Sequence, residues 1–218
     1  MNALIEYSID DQSFVLSPQK AIFWQQEKTL VVADVHIGKT GHFRKAGIAV
    51  PAKVYKNDLH RLFSLILFFK AEKLLIVGDL SHSSSNLELD LFQKWRKDMS
   101  ALNIELVKGN HDILKESWYT GADINCTGPK HQIGNFLFVH DVADCPDPVP
   151  QYIFGGHIHP GIRVRGMGRQ SLSFPCFYFT DTYSVLPAFG GFTGLHIIEP
   201  AKSDNVFAII EDDIIQLQ

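Results

Sequence analysis

The chain has 218 residues, of which 45% are hydrophobic and 20% charged, with a net charge of −4 and a pI near 6.2. That composition provides for a packed core in one large domain, 1–218, and excludes extensive disorder. The acidic balance excludes a global basic field for nucleic acid, although not a local basic patch.

Residues 1–12, MNALIEYSIDDQ, lack a basic segment followed by an apolar run, so no secretory leader is expected. TLVVADVH is a β-rich run that ends at Asp34 and His36. Residues 52–70 place Val54, Leu59, Leu62, Phe63, Ile66 and Phe69 near helical spacing, which predicts an amphipathic helix. KLLIVGDL is a second buried-type strand, ending at Asp79. The apolar stretch through both segments, 62–80, is broken by Lys70, Glu72 and Lys73, so no membrane span is expected. Residues 86–102 predict a second amphipathic helix with Asn86 as its N-cap. IELVKGNHD is a third strand, running into Asn110, His111 and Asp112.

Past residue 113 the pattern turns to β. NFLFVHD, QYIFGGHIH, CFYFTDTYSVLPAF, TGLHIIE and NVFAIIEDDIIQL are strand-like and separated by Gly, Pro and Asn turns. DCPDPVP, 144–150, reads as a surface loop. The aromatics of FPCFYFTDTY read as core strand rather than a stacking platform. Cys126, Cys145 and Cys176 are odd in number and form no CxxC, which suits a reducing cytoplasm and neither a disulfide framework nor a zinc knuckle. An α/β first half joined to a β-rich second half predicts a layered α/β fold with strands in the middle and helices outside.

Five of these runs end in metal-competent residues: Asp34 and His36; Asp79; Asn110, His111 and Asp112; His140; and His157 with His159 in GGHIHP. Taken singly, each has an ordinary explanation as a turn, a cap or a hydrogen-bonded core histidine. Together they occupy the place where α/β sheets bind ligands, beyond the carboxyl ends of the strands. Carboxylate, amide and imidazole without thiolate argue against a structural zinc cage and suit Mn²⁺, Fe or Zn²⁺ better than Mg²⁺. There are too many ligands for one ion, and two ions about 3.5–4 Å apart would use them.

D-x-H, G-D, G-N-H-D, a later His and G-H-x-H, in that order over 34–159, resemble the motifs of the calcineurin-like metallophosphoesterase superfamily. The resemblance implies a β-sandwich flanked by helices, with a dinuclear metal site at the strand ends. Carried over by motif, it makes Asp34, His36, Asp79 and His159 ligands of one ion. Asp79 would bridge to a second ion held by Asn110, His140 and His157. A hydroxide between the ions would be the nucleophile, His111 the general acid that protonates the leaving oxygen, and Asp112 the acid that orients His111. Two divalent ions are implied, with Mn²⁺ expected first and Fe or Zn²⁺ as alternatives.

ADVHIGKTGHFRKAGIAVP (33–51), GGHIHPGIRV (155–164) and LPAFGGFTG (186–194) are similar to a narrower bacterial group, the ligase-associated DNA damage response endonucleases. That likeness implies a repair setting with an ATP-dependent DNA ligase, a DEXH-box helicase and an exonuclease, and nucleic acid as substrate. Two departures stand out. GDLSHSSS lacks the acidic loop of protein Ser/Thr phosphatases, and the fourth motif is VHD, with His140, rather than G-H. Lys39, His42, Arg44 and Lys45 follow the first motif, and Arg163, Arg165 and Arg169 the last, as candidate phosphate contacts. His82, with Ser81, stands as a substrate contact or a turn cap, and His60, His131 and His196 read as structural or surface residues. The leading reading is a nucleic-acid phosphodiesterase. A hydrolase of small phosphoesters or nucleotides, and a non-catalytic metal-bound scaffold for repair partners, remain as alternatives.

Overall fold

The computed structural model describes residues 4–39, 41, 43, 47, 53–82, 87–146, 148–166 and 170–218. The first sheet contains β1 (Ile5–Ile9), β2 (Gln12–Ser17), β3 (Ala21–Trp24), β4 (Thr29–Ala33), β5 (Lys73–Val77), β6 (Asn103–Val107) and β7 (Asn125–Gly128), hydrogen-bonded in that order. β1 to β4 are antiparallel neighbours, and β4 to β7 run parallel. α1 (Lys53–Phe69) connects β4 to β5, α2 (Leu87–Asp98) connects β5 to β6, and the short α3 (Glu116–Gly121) precedes β7.

The second sheet contains β8 (Lys130–Ile133), β9 (Phe136–Val139), β10 (Tyr152–Gly155), β11 (Pro160–Arg165), β12 (Ser171–Phe179), β13 (Tyr183–Val185), β14 (His196–Ile197), β15 (Asn205–Ile210) and β16 (Asp213–Gln216). Its order is β14-β11-β12-β13-β10-β9-β8, with β15 pairing β12 and β16 pairing β15. β9, β10 and β13 run parallel. A bridge from Ala33 to Ala188 ties the two sheets together beside the end of β4.

Alternation along the parallel strands divides the core in two. Leu30 and Val32, Leu74 and Ile76, and Ile104 and Leu106 face outward, where they pack against Leu62, Leu65 and Ile66 of α1, Leu89 and Phe92 of α2, and Tyr119 of α3. Val31, Ala33, Leu75, Val77 and Val107 face inward against Phe136, Phe138, Phe154, Phe177, Phe179 and Phe207 of the second sheet. Burying each such ring stabilises the sandwich by about 1.5–3 kcal/mol. Among the described residues, α1, α2 and α3 all lie on the outer face of the first sheet, so the helices cover one side of the sandwich. No helix of the described residues is long and apolar enough to cross a membrane.

The expected strands and helices differ from the observed ones in several places: β7, β8 and β11 were not assigned from sequence, and NVFAIIEDDIIQL forms two strands, β15 and β16. The helix expected over 86–102 stops at Asp98, because the chain tightens into turns with Met99 N–H on Arg96 O and Leu102 N–H on Met99 O. The buried Arg96 guanidinium caps Met99 O and pairs with Asp123 at 2.6 Å, which holds that end. Asn86, the expected cap, lies outside the described residues. CFYFTDTYSVLPAF splits into the end of β12 and β13, because Thr180 Oγ1 accepts the Thr182 and Tyr183 amides in a turn. TGLHIIE contributes only the two residues of β14. The antiparallel β1–β3 went unassigned from sequence, although β1 alternates half-buried and exposed residues along its length.

Candidate metal centre

β4, β5 and β6 end in register, with Ala33 opposite Val77 and Val77 opposite Val107. The residues that follow therefore leave the first sheet at one level: Asp34 and His36, Asp79, then Asn110, His111 and Asp112. β9 and β10 end at Val139 and Gly155 in the facing sheet and release His140, His157 and His159. Backbone bonds join the five exits. His36 N–H donates to Asp79 O at 2.8 Å, and Gly156 N–H to His140 O at 2.9 Å. Asp79 Oδ1 accepts His111 N–H, and Asp34 Oδ2 accepts His157 N–H, each at 2.9 Å.

The side chains form two adjoining groups. Asp34, His36 and His159 offer ligand atoms within 4.8 Å of one another, and so do Asp79, His140 and His157. His36 Nε2 lies 3.3 Å from His159 Nε2 in the first group. In the second, His140 Nε2 lies 2.9 Å from both His157 Nδ1 and Asn110 Oδ1. Asp79 straddles them, with Oδ2 4.0 Å from His36 Nε2 and Oδ1 3.6 Å from His140 Nε2. Separations of this size suit donors that share an ion at about 2.0–2.2 Å.

Electrostatics favours cations here. Burial pushes the Asp34 carboxyl well above its ordinary value, and the neighbouring Asp79 carboxylate adds to the shift. Burial likewise raises Asp79, against the opposing His111 amide. His36 is lowered to about 2, by burial and then by Lys39 and His159. Burial also lowers His140 and His159 to about 4 each. The imidazoles are thus held neutral with lone pairs available, while two carboxylates crowd together in a desolvated space. Asp34 Oδ1, His36 Nδ1 and His140 Nδ1 are buried with no hydrogen-bond partner among the described residues. Buried polar atoms without partners are rare and costly, and the donor set fits two divalent ions that would take up such lone pairs.

The backbone bends to build this arrangement. Asp34 (φ 52°), His36 (54°), Asp79 (47°), His157 (67°) and His159 (53°) all lie in the left-handed region. Each costs about 1–3 kcal/mol and persists only where its surroundings hold it. Gly156 and Gly190 make room: a Cβ on Gly156 would come within 2.6 Å of Asp34 Oδ2, and one on Gly190 within 2.7 Å of Val35 O. The 188–194 segment then braces the first group. Phe189 N–H donates to Ala33 O and Gly190 N–H to Asp34 O, and just beyond the segment His196 N–H donates to His159 O at 3.0 Å. α1 clamps that segment, because Asp58 accepts Gly191 N–H at 2.9 Å and Arg61 donates to Phe189 O and covers its ring at 4.2 Å. The Glu88 carboxylate, buried on α2, accepts Gly38 N–H at 3.0 Å. None of Asp58, Arg61 and Glu88 figured in the sequence reading. The only signal for the first two was an Asp-x-x-Arg spacing on one helix face.

The other expected site residues fall into three sets. His111 packs beside His82 and His36, with ring centroids 4.3 and 5.7 Å away, at the edge of the first group. Asp112 does not contact the His111 ring. Its Oδ1 accepts Ser81 N–H at 2.9 Å and Ser81 Oγ–H at 3.2 Å, and its Oδ2 accepts Gly109 N–H at 2.9 Å. It thus locks the Gly-Asn-His-Asp turn that carries His111, because the turn points the short Asp side chain back at its own amides. Arg163 is exposed on β11, four residues past His159, and its side chain has no hydrogen bond or ion pair among the described residues. Arg44 and Lys45 lie outside the described residues, as do His42 and Arg169. His131 pairs with Glu105 at 2.9 Å, a structural contact away from the two groups.

Comparison with known proteins follows this geometry. Residues 27–146 match the calcineurin-like phosphoesterase family. Among solved structures, the crystal structure of the nuclease MPE from Pseudomonas putida is similar, with a TM-score of 0.81 and 30% identity over 95% of this chain and 97% of that chain. The phosphoesterase Yfce from E. coli aligns with a TM-score of 0.46 and 15% identity over 87% of this chain and 97% of that chain. No curated protein sequence matches the chain.

Proposed function

Since the chain belongs to the calcineurin-like phosphoesterase family, a family of metal-dependent phosphoric ester hydrolases, we propose that it cleaves phosphodiester bonds of nucleic acid as an endonuclease. The observation that carries this is the pair of adjoining groups, Asp34–His36–His159 and Asp79–His140–His157. Likeness to a nuclease along nearly the whole chain supports the choice of polymer. The outer group is also open, with Asn110 and His157 exposed, which suits a chain-like substrate better than an enclosed pocket would.

Asp34, His36 and His159 would hold one divalent ion and Asn110, His140 and His157 the other, with Asp79 serving both. Mn²⁺ suits this mixed oxygen and nitrogen set, with Fe or Zn²⁺ as the competing occupants. When bound, two such cations supply an acidified water and positive charge at the phosphate oxygens. His111 stands at the rim to deliver a proton to the leaving oxygen, the role for which imidazole is best matched near neutral pH. Asp112 keeps the His111 turn closed. Lys39 and Arg163 meet flanking phosphates, a role that the sequence also offers to Arg44 and Lys45, and His82 meets the substrate beside His111.

The similarity of residues 33–51, 155–164 and 186–194 to the ligase-associated endonuclease group supports a role in DNA repair. There the protein would work in the cytoplasm beside an ATP-dependent DNA ligase, a DEXH-box helicase and an exonuclease. The test is a side-by-side assay of protein reconstituted with Mn²⁺, Fe²⁺ or Zn²⁺. The substrates are single-stranded DNA, duplex DNA, cyclic nucleotides and bis(p-nitrophenyl) phosphate. Internal cleavage of DNA is expected; turnover of small esters alone would overturn the reading.

A further inference from the structure

We propose that the cleft beside the first metal group, lined by Lys39, Phe43, Phe192, Thr193 and Gly194, is a nucleobase subsite in which Phe192 provides the stacking face. This rests on the nucleic-acid reading above and deepens it. The cleft encloses about 330 Å³ among the described residues, which is the small-ligand end of the usual range of about 300–1,000 Å³. A second, narrow space beside it is lined by His36 of the first group together with Lys39, Gly190 and Phe192. Lys39 and Phe192 therefore border both the cleft and the site.

Phe192 is placed for a ligand rather than for the core. Three residues earlier in the same segment, Phe189 is fully buried beneath Arg61. Phe192 is 39% exposed and meets Phe43 edge-on, with centroids 5.3 Å apart. An edge-on partner leaves one face of a ring available, and a base can stack there. The segment that carries Phe192 is held on both sides of it, because Asp58 accepts Gly191 N–H and Thr193 Oγ1 donates to Gly190 O. Lys39 supplies the charge. It lines both spaces, so a cation stands at the edge of the aromatic cleft nearest the first metal group. A phosphate at the metals, a cation beside it and a ring next along would follow the order of phosphate and base in a nucleotide chain.

The cleft has little with which to read a base edge. Thr193 donates its hydroxyl proton to Gly190 O at 3.2 Å, and Gly191 and Gly194 have no side chains. Stacking without edge contacts tolerates any base but requires that the base leave its own stack.

The test compares kcat/KM for an oligo(dT) strand with that for an abasic strand of equal length, using Mn²⁺-loaded wild type, Phe192→Ala, Phe192→Leu and Phe192→Trp. Wild type is expected to favour the base-bearing strand about tenfold, or about 1.4 kcal/mol. Phe192→Ala and Phe192→Leu lose that preference, and Phe192→Trp keeps it. The Leu variant preserves apolar volume without a π face, so it separates stacking from packing. An undiminished preference in both the Ala and Leu variants, or none in wild type, overturns the subsite. Turnover of bis(p-nitrophenyl) phosphate by a wild type that leaves both strands intact would overturn the nucleic-acid reading, and the subsite with it.

Discussion

His157 and His159 stand two residues apart yet serve different groups: His157 Nδ1 lies 2.9 Å from His140 Nε2, and His159 Nε2 lies 3.3 Å from His36 Nε2. On a regular strand, side chains at i and i+2 share a face. Here both residues have left-handed backbone, with φ of 67° and 53°, and the resulting twist parts the two rings. The Gly-Gly-His-Ile-His-Pro segment thereby holds the two groups side by side.

Single replacements should therefore remove ions separately. His157→Ala and His159→Ala are each expected to retain about one ion per chain, where wild type holds two, by elemental analysis of Mn²⁺-loaded protein. Loss of both ions from both variants would show that the two groups do not bind independently.

Asp79 behaves differently, because its two oxygens face His36 and His140. Asp79→Asn keeps the shape but removes the charge between the groups. It is expected to weaken binding at both sites, by at least about 10–100-fold in affinity, as read by titration calorimetry. Selective loss of one site would place Asp79 in one group only.

His111 lies at the rim, and its backbone rather than its ring bonds to Asp79. His111→Ala should keep the metal content of wild type while turnover of a phosphodiester falls by about 10²–10⁴-fold. Undiminished turnover would remove the general-acid role.

Gly156 tests the packing behind the first group. A Cβ there would meet Asp34 Oδ2 at 2.6 Å and Ala33 Cβ at 2.8 Å. Gly156→Ala is expected to move Asp34 and lower metal affinity about tenfold or more while the circular dichroism spectrum stays that of wild type. Unchanged affinity would mean that the strand end relaxes without cost to the site.

The metal-free protein should show opposing pH effects. His36, His140 and His159 are lowered below their ordinary 6.5, to about 2, 4 and 4. The stability that they contribute is full above pH 6.5 and is lost as pH falls towards 4. Asp34 and Asp79 are raised above 3.8, so their contribution is full below that value and is lost as pH rises. Bound cations relieve the carboxylates, and fewer protons compete with them at higher pH. The Tm gain on adding Mn²⁺ is therefore expected to be larger at pH 7.5 than at pH 5.5 by differential scanning fluorimetry. A larger gain at pH 5.5 would contradict the assignment of the carboxylates as ligands.

Much was legible from local pattern. Continuous apolar runs marked the central parallel strands, and the Asp, Asn and His residues at their ends marked the candidate site, because burial and strand exit are properties of neighbouring residues. Gly-Asn-His-Asp and Gly-His-Ile-His, in order with the others, were enough for the family resemblance. The resemblance also divided the candidate ligands between two ions, and only the tertiary structure showed the backbone geometry that brings this division about. That division depends on left-handed turns at Asp34, His36, Asp79, His157 and His159, which residue type does not announce, since Asp and His are ordinarily right-handed or extended. It also decided that Asp112 bonds the turn and not the His111 ring. It brought the segment carrying Phe192 from the far end of the chain against Lys39 and His159, because contacts between distant segments leave no periodic trace in either one.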